Sequence, residues 1–162
     1  IYNNVIYTDA DLPYSFTTML NLIKELENSQ AGMVICSRVI PDSIVCVKYN
    51  DLAKIFMRWI AGRIINFIIR LFLGIPYKDT QAGLKGFNKQ KLKNLFSISF
   101  VNRWAFDCEI IYLSYTNRIE IKEIPAFQHA DYEVSTVKIL DGIKYILDVV
   151  RIFFKHKMEF TF

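Results

Sequence analysis

Two carboxylates one residue apart, Asp9 and Asp11, stand directly after the apolar run Asn4-Val-Ile-Tyr-Thr8. If a loop turns between them, both reach one divalent cation. Hard ions such as Mg²⁺ and Mn²⁺ take oxygen ligands and usually hold substrate phosphates as well. The alternative for the same residues is an ordinary Asx-rich turn that caps the helix near Pro13. A second apolar run, Gly32-Met-Val-Ile-Cys36, also ends in polar residues, Ser37-Arg38. Two further groups are suited to chemistry: the polar, glycine-bearing stretch Asp79-Thr-Gln-Ala-Gly-Leu-Lys-Gly-Phe87 and the carboxylates Asp107 and Glu109. Each has a plain alternative, a turn for the first and dipole-favoured acidic residues at a helix start for the second.

The elements that must position these groups follow from the apolar periodicity. Residues 4–8 and 32–36 read as buried strands, and residues 17–28 between them as a helix with Met19, Leu20, Leu22, Ile23 and Leu26 in helical rhythm. Strand, helix, strand with short links points to an α/β layered sheet. The spacing predicts a long helix over 52–73, closed by Gly74 and Pro76, with Lys54, Arg58, Gly62, Arg63, Asn66 and Arg70 on about half of its circumference. Residues 78–87 read as a loop, 89–96 as a short helix, 106–116 as a longer one, 119–124 as a strand stopped by Pro125, and 137–157 as the last helix. No repeat or flexible linker interrupts the 162 residues, which predict a single domain.

Composition narrows the class. Hydrophobic residues make up 52% and charged residues 22%, which excludes a disordered chain. Three cysteines, Cys36, Cys46 and Cys108, form no CxxC pair, so a disulfide scaffold or zinc ribbon is disfavoured and a reducing compartment favoured. The net charge of +4 is accounted for by Lys54, Arg58, Arg63 and Arg70, since 16 basic and 16 acidic residues remain elsewhere. A nucleic-acid binder would spread its charge over a wide face. An excess confined to one apolar segment suits a membrane surface or a bound phosphate instead. No run of about 18 uncharged residues supports a membrane span. The chain opens Ile-Tyr-Asn-Asn with no initiator Met and no signal-peptide pattern, and is expected to be a fragment.

Asp9-Ala-Asp11, Val34-Ile-Cys-Ser-Arg38, Asp79-Thr-Gln-Ala-Gly-Leu-Lys-Gly-Phe87 and Trp104-Ala-Phe-Asp-Cys-Glu109 occur in an order and spacing that resembles the inverting family 2 glycosyltransferases of the polyprenyl-phosphate sugar synthase type. The dolichyl-phosphate glucosyl- and mannosyltransferases are the nearest in pattern. The resemblance covers nearly the whole chain and implies an α/β, Rossmann-like GT-A fold, of which these residues would be the C-terminal part. It implies a membrane-associated enzyme on the cytoplasmic side that moves a hexose from UDP-glucose or GDP-mannose to a polyprenyl or dolichyl phosphate. Nucleic acid is not an expected partner. Asp9 and Asp11 would form the DxD motif that holds Mg²⁺ or Mn²⁺ and the nucleotide diphosphate. Arg38 would contact phosphate, and Lys85 would be a second cation for the lipid phosphate. Asp79 and Gln81 would line the sugar and acceptor site. Trp104, Asp107 and Glu109 match a Trp-x-Phe-Asp-x-Glu pattern, in which an acidic group acts as base or orients the donor sugar. His129 and Ser135-Thr-Val-Lys138 resemble a short stretch that follows the last strand, with Ser135 toward substrate.

The departures are specific. Pro13 stands where many mannosyl members carry a metal-binding Gln, Gly83 stands where some members carry an Asp, and Asp-Thr-Gln-Ala-Gly-Leu-Lys leans toward the glucosyl pattern. Asp9 lies almost at the first residue, although the family's first strand and base pocket precede the DxD. Without that strand the sheet is expected to expose an edge. The competing readings are a non-catalytic membrane-surface interaction domain and an inactive piece of a longer transferase.

Overall fold

The computed structural model describes residues 2–47, 52–102, 105–130 and 139–159. Its elements run β1 (Asn4–Tyr7), α1 (Phe16–Asn28), β2 (Met33–Ser37), β3 (Ile44–Val47), α2 (Leu52–Leu73), β4 (Lys85–Asn88), α3 (Lys89–Ile98), α4 (Phe106–Thr116), β5 (Ile121–Pro125), β6 (Phe127–Ala130) and α5 (Ile139–Glu159). The main sheet has the order β1-β4-β2-β5, with β4 antiparallel to both neighbours and β2 parallel to β5. A second, two-stranded parallel sheet joins β3 to β6.

Every residue of β2 is buried, as its unbroken apolar run requires of a central strand covered on both faces. Its alternate residues supply two cores. Val34 and Cys36 pack with Leu22 and Leu26 of α1, while Met33 and Ile35 pack with Phe87 and with helices α2 to α5. Ser15 caps α1, its hydroxyl accepting from the Thr18 N–H at 3.2 Å. The Asx-capping alternative for Asp9 and Asp11 therefore fails, because a different residue does that work. On α5 the buried set Tyr145, Val149, Ile152 and His156 falls on one helical stripe. That stripe lays α5 alongside α2, where Phe72 and Phe153 meet with ring centroids 4.7 Å apart.

Three strands escape the sequence reading. β3 and β6 are four residues each and pair with one another, with one further bridge from Gln128 of β6 to Tyr14. β4 is the more consequential, because residues 85–87 were expected to belong to the polar loop over 78–87. Lys85 and Gly86 break any apolar alternation, yet the segment runs through the middle of the sheet. Gly86 has a packing reason: a Cβ there would lie 2.5 Å from Leu26 Cδ1 and 2.6 Å from Leu22 Cδ2. Gly62, inside α2, has nothing within 4 Å of the same position. Gly86→Ala should cost about 1–3 kcal/mol by overpacking, whereas Gly62→Ala should gain about 0.5–1 kcal/mol through helix propensity. Urea midpoints of the two variants check this, and equal shifts of the same sign would contradict the packing of α1 on β4.

Candidate active site

The site gathers at one end of the main sheet, where β1 and β2 finish and β4 begins. Lys85 pairs across the sheet with Tyr7 on one side and Ile35 on the other, which fixes it between the two strand ends. β1 delivers Asp9 and Asp11 into a tight turn, in which the Leu12 N–H donates to the Asp9 carbonyl at 3.1 Å and Leu12 takes a positive φ of 48°. The Asp9 N–H donates to the Gly83 carbonyl at 3.1 Å, so this turn is tied to the loop before β4. A Cβ at position 83 would lie 1.8 Å from Asp9 Oδ2, so a side chain there would require the Asp9 carboxylate to turn away. Gly83 thus lets the Asp9 carboxylate approach this loop closely.

β2 delivers Arg38. Its guanidinium forms a two-pronged pair with Asp79, Nε to Oδ2 and Nη2 to Oδ1 both at 2.8 Å, and its backbone N–H adds a third bond to Oδ2 at 2.9 Å. Planar guanidinium and carboxylate match best in this geometry. Burial alone would raise the Asp79 carboxyl, but the hydrogen bonds and charge of Arg38 outweigh it and hold the group below its ordinary value. The loop carrying Asp79 is held from two further elements. Glu123 of β5 accepts the N–H groups of Lys78 and Asp79 at 2.9 Å, and Asn66 of α2 accepts the Thr80 hydroxyl at 2.7 Å. Tyr14 completes the frame by accepting the Gly83 N–H at 2.9 Å.

Lys85 is wholly buried. Its Nζ donates to the Ala82 carbonyl, lies 3.4 Å from Asp107 Oδ2, and sits 5.6 Å from the centre of the Tyr7 ring. Burial pushes its pKa down to about 8, with the charges of Asp79 and Asp9 acting in the opposite direction. Asp107, in the first turn of α4, is pushed up to about 7 by burial. The Asp9 carboxyl is also raised, first by burial and then by Asp11, while Arg38 and Lys85 pull it down. These mutual influences define one electrostatic cluster of Asp9, Arg38, Asp79, Lys85 and Asp107. Gln81 reaches it through the Tyr145 hydroxyl, which also contacts Cys108 Sγ at 2.7 Å.

Some expected residues stand apart. Glu109 lies on the opposite side of α4, fully buried, and its carboxylate accepts the N–H groups of Phe100 and Val101 and meets His156 Nε2 at 2.8 Å. Its surroundings are those of a structural anchor, not of a group facing the cluster. Lys85, expected to meet a lipid phosphate, has no exposed surface through which to do so. Trp104 and Ser135 lie outside the described residues, as do Thr136 and Lys138. His129 is exposed on β6, its ring 5.1 Å from that of Phe127. Tyr7, Tyr14, Asn66 and Glu123 were not legible as site residues, because Tyr7, Asn66 and Glu123 sit inside apolar elements and Tyr14 lies in the loop before α1, none of them a member of a motif.

Asp9 and Asp11 are exposed and near enough for the second to perturb the first. Among the described residues no three His, Cys, Asp or Glu side chains converge as a metal cage. Two carboxylates fit a hard cation such as Mg²⁺, which commonly takes one or two protein carboxylates and fills its remaining positions with phosphate oxygens and water.

No family model matches the chain. Comparison with curated proteins does find relatives. A dolichyl-phosphate beta-glucosyltransferase of Trichomonas vaginalis is 30% identical over 152 residues, covering 91% of this chain and 45% of its own length. The protein of the same name in Saccharomyces cerevisiae is 32% identical over 124 residues, 75% of this chain and 33% of its own. A human one is 43% identical over 59 residues, 36% of this chain and 18% of its own. The chain therefore spans less than half the length of these relatives. With the mixed α/β, Rossmann-like GT-A sheet described above, they place it: the chain belongs to the glycosyltransferase family that includes the dolichyl-phosphate beta-glucosyltransferases.

Proposed function

We propose that the protein carrying this chain transfers a hexose, glucose in preference to mannose, from a nucleotide-diphosphate sugar to a polyprenyl or dolichyl phosphate at a membrane surface. The observation that carries the reading is the convergence of Asp9, Arg38, Asp79, Lys85 and Asp107 where strands end at one edge of the sheet, the usual place for ligands in open α/β folds. The names of the relatives favour glucose and dolichyl phosphate.

The reaction is an in-line displacement at the anomeric carbon. An oxygen of the acceptor phosphate attacks, the nucleotide diphosphate leaves with the bonding electron pair, and the configuration inverts. The acceptor oxygen is already anionic at neutral pH, so the protein mainly aligns the partners and manages charge. Arg38 is partly exposed and prealigned by Asp79, and its guanidinium faces an incoming phosphate from a fixed position. Lys85 acts from below, its buried charge raising the positive potential without contact. Asp107 is the acidic group placed to hold a sugar hydroxyl or accept a proton, a role that its neighbour Glu109 does not share. Mg²⁺ or Mn²⁺ held by Asp9 and Asp11 would supply charge neutralisation for the leaving diphosphate.

Membrane attachment is part of the proposal. α2 exposes Phe56, Met57, Trp59, Phe67 and Leu71, and the adjoining α5 exposes Ile143, Leu147 and Phe154. Among the described residues no helix is long and apolar enough to cross a membrane. Such a surface suits the headgroup–acyl boundary, with the exposed Arg63 reaching the headgroups, while Arg70 turns back to donate to the Pro76 carbonyl at 3.2 Å. Side chains of Lys54 and Arg58, which belong to the same expected basic set, lie outside the described residues.

Full-length protein supplied with UDP-glucose, dolichyl phosphate and Mg²⁺ or Mn²⁺ should yield glucosyl-phosphodolichol, and Asp11→Ala should abolish the yield while leaving the circular dichroism spectrum unchanged. Near-normal turnover by that variant would sink the metal role. The rate should also depend on pH in a bell. It rises through about pH 7 as Asp107 ionises and falls above about pH 8 as Lys85 loses its proton, limbs that belong to the coupled pair. A flat rate between pH 6 and 9 would detach both groups from catalysis. Flotation tests the surface: the protein should rise with anionic liposomes, less so in high salt, and less again after Arg63 becomes Gln. Equal recovery with and without liposomes would mean that α2 and α5 are not a membrane face.

A further inference from the structure

Tyr7 ends β1 two residues before Asp9, and the DxD reading has no place for it. Its ring is stacked on Phe87 of β4, with centroids 5.6 Å apart and planes 13° from parallel. That stacking fixes the ring plane and directs the phenol hydroxyl across the sheet end to α4, where it donates a hydrogen bond to Asp107 Oδ1. The other carboxylate oxygen, Oδ2, faces Lys85 Nζ at 3.4 Å. The two oxygens of Asp107 are therefore held from different strands.

We propose that Tyr7 is the positioning residue of Asp107, holding the carboxylate in one orientation so that it meets the sugar or acceptor in a fixed place. This rests on reading the cluster as a sugar-transfer site. Stacking on Phe87 makes Tyr7 a rigid donor, and the cation of Lys85 over its face strengthens that rigidity. The remaining titratable groups that face Asp107 are Cys108 on its own helix and Tyr145 on α5. Neither carries a charge near neutral pH, because burial pushes the Cys108 thiol up to about 11 and the Tyr145 phenol well above its ordinary value. Among the described residues, Tyr7 and Lys85 are thus the side chains that meet the two oxygens of Asp107. A donated hydrogen bond favours the ionised carboxylate, so its loss must move the titration of Asp107 upward from about 7.

Tyr7→Phe in the full-length protein is the test, because it keeps the ring on Phe87 and removes only the hydroxyl. A hydrogen bond to a charged group sets the expected size: kcat at pH 7 falls roughly 10-fold and the donor KM stays within about twofold. The acid limb of the pH–rate profile moves up by roughly one unit. Carboxyl ¹³C NMR on protein labelled at aspartate, with Asp107→Asn to assign the resonance, should show the same upward move without any substrate. Wild-type kcat together with an unmoved Asp107 titration would overturn the proposal. So would a loss of activity matched by an equal loss of melting temperature in Tyr7→Phe and Tyr7→Leu, since the ring alone would then be responsible. If the wild-type protein transfers no sugar at all, the functional reading fails, yet the NMR titration still decides whether Tyr7 holds Asp107.

Discussion

A lysine ammonium with no exposed surface is the constraint around which the rest of the site is arranged. Desolvating that charge costs several kcal/mol unless partners surround it. Lys85 obtains them from four directions: the Ala82 carbonyl in its own loop, Asp107 from α4, and the fields of Asp79 and Asp9. The Asp107 carboxylate would in turn be costly without the lysine, since burial raises it, whereas Asp79 is compensated chiefly by Arg38. The cluster is held together by mutual need, and removing one member leaves an uncompensated charge in a confined space. Preorganised charge of this kind suits a reaction in which a phosphate oxygen attacks and a diphosphate departs.

Around this centre the supporting shell comes from elements far apart in sequence. Arg38 closes β2 onto Asp79, Glu123 anchors the Asp79 loop to β5, and Asn66 anchors it to α2. On α5, Tyr145 touches Cys108 and Gln81 while His156 meets Glu109. The helix whose outer side is proposed to lie on lipid therefore carries, on its inner side, the residues that brace the floor of the site.

Legibility in the sequence divides along a physical line. Elements with one clear periodicity, such as β2, α1, α2 and α5, could be read because their burial is uniform along a face. The sheet's middle strand, β4, could not, since a lysine and a glycine occupy positions that usually carry branched apolar residues. Only the tertiary context explains both, the first by its carboxylates and the second by Leu22 and Leu26. Charged site residues were visible through motifs, while the uncharged groups that hold them, Tyr7, Tyr14 and Asn66, look like core or helix positions. Glu109 shows the limit of motif reading in the other direction. It sits two residues from Asp107, but a helix turns about 200° over that interval and sends it to a different environment.

The insertion of β4 between β1 and β2 has a consequence for how the molecule comes to be. Tyr7 and Lys85 face each other across more than seventy residues of intervening chain, and β2 cannot contact β1 directly. Closing so long a loop carries an entropic cost that local contacts do not repay. α1 and β2 are near neighbours in sequence, whereas β4 reaches its place beside β2 only after the long α2 excursion. The charged cluster therefore depends on a long-range pairing: Lys85 meets Tyr7 and Ile35 only once β4 lies between β1 and β2.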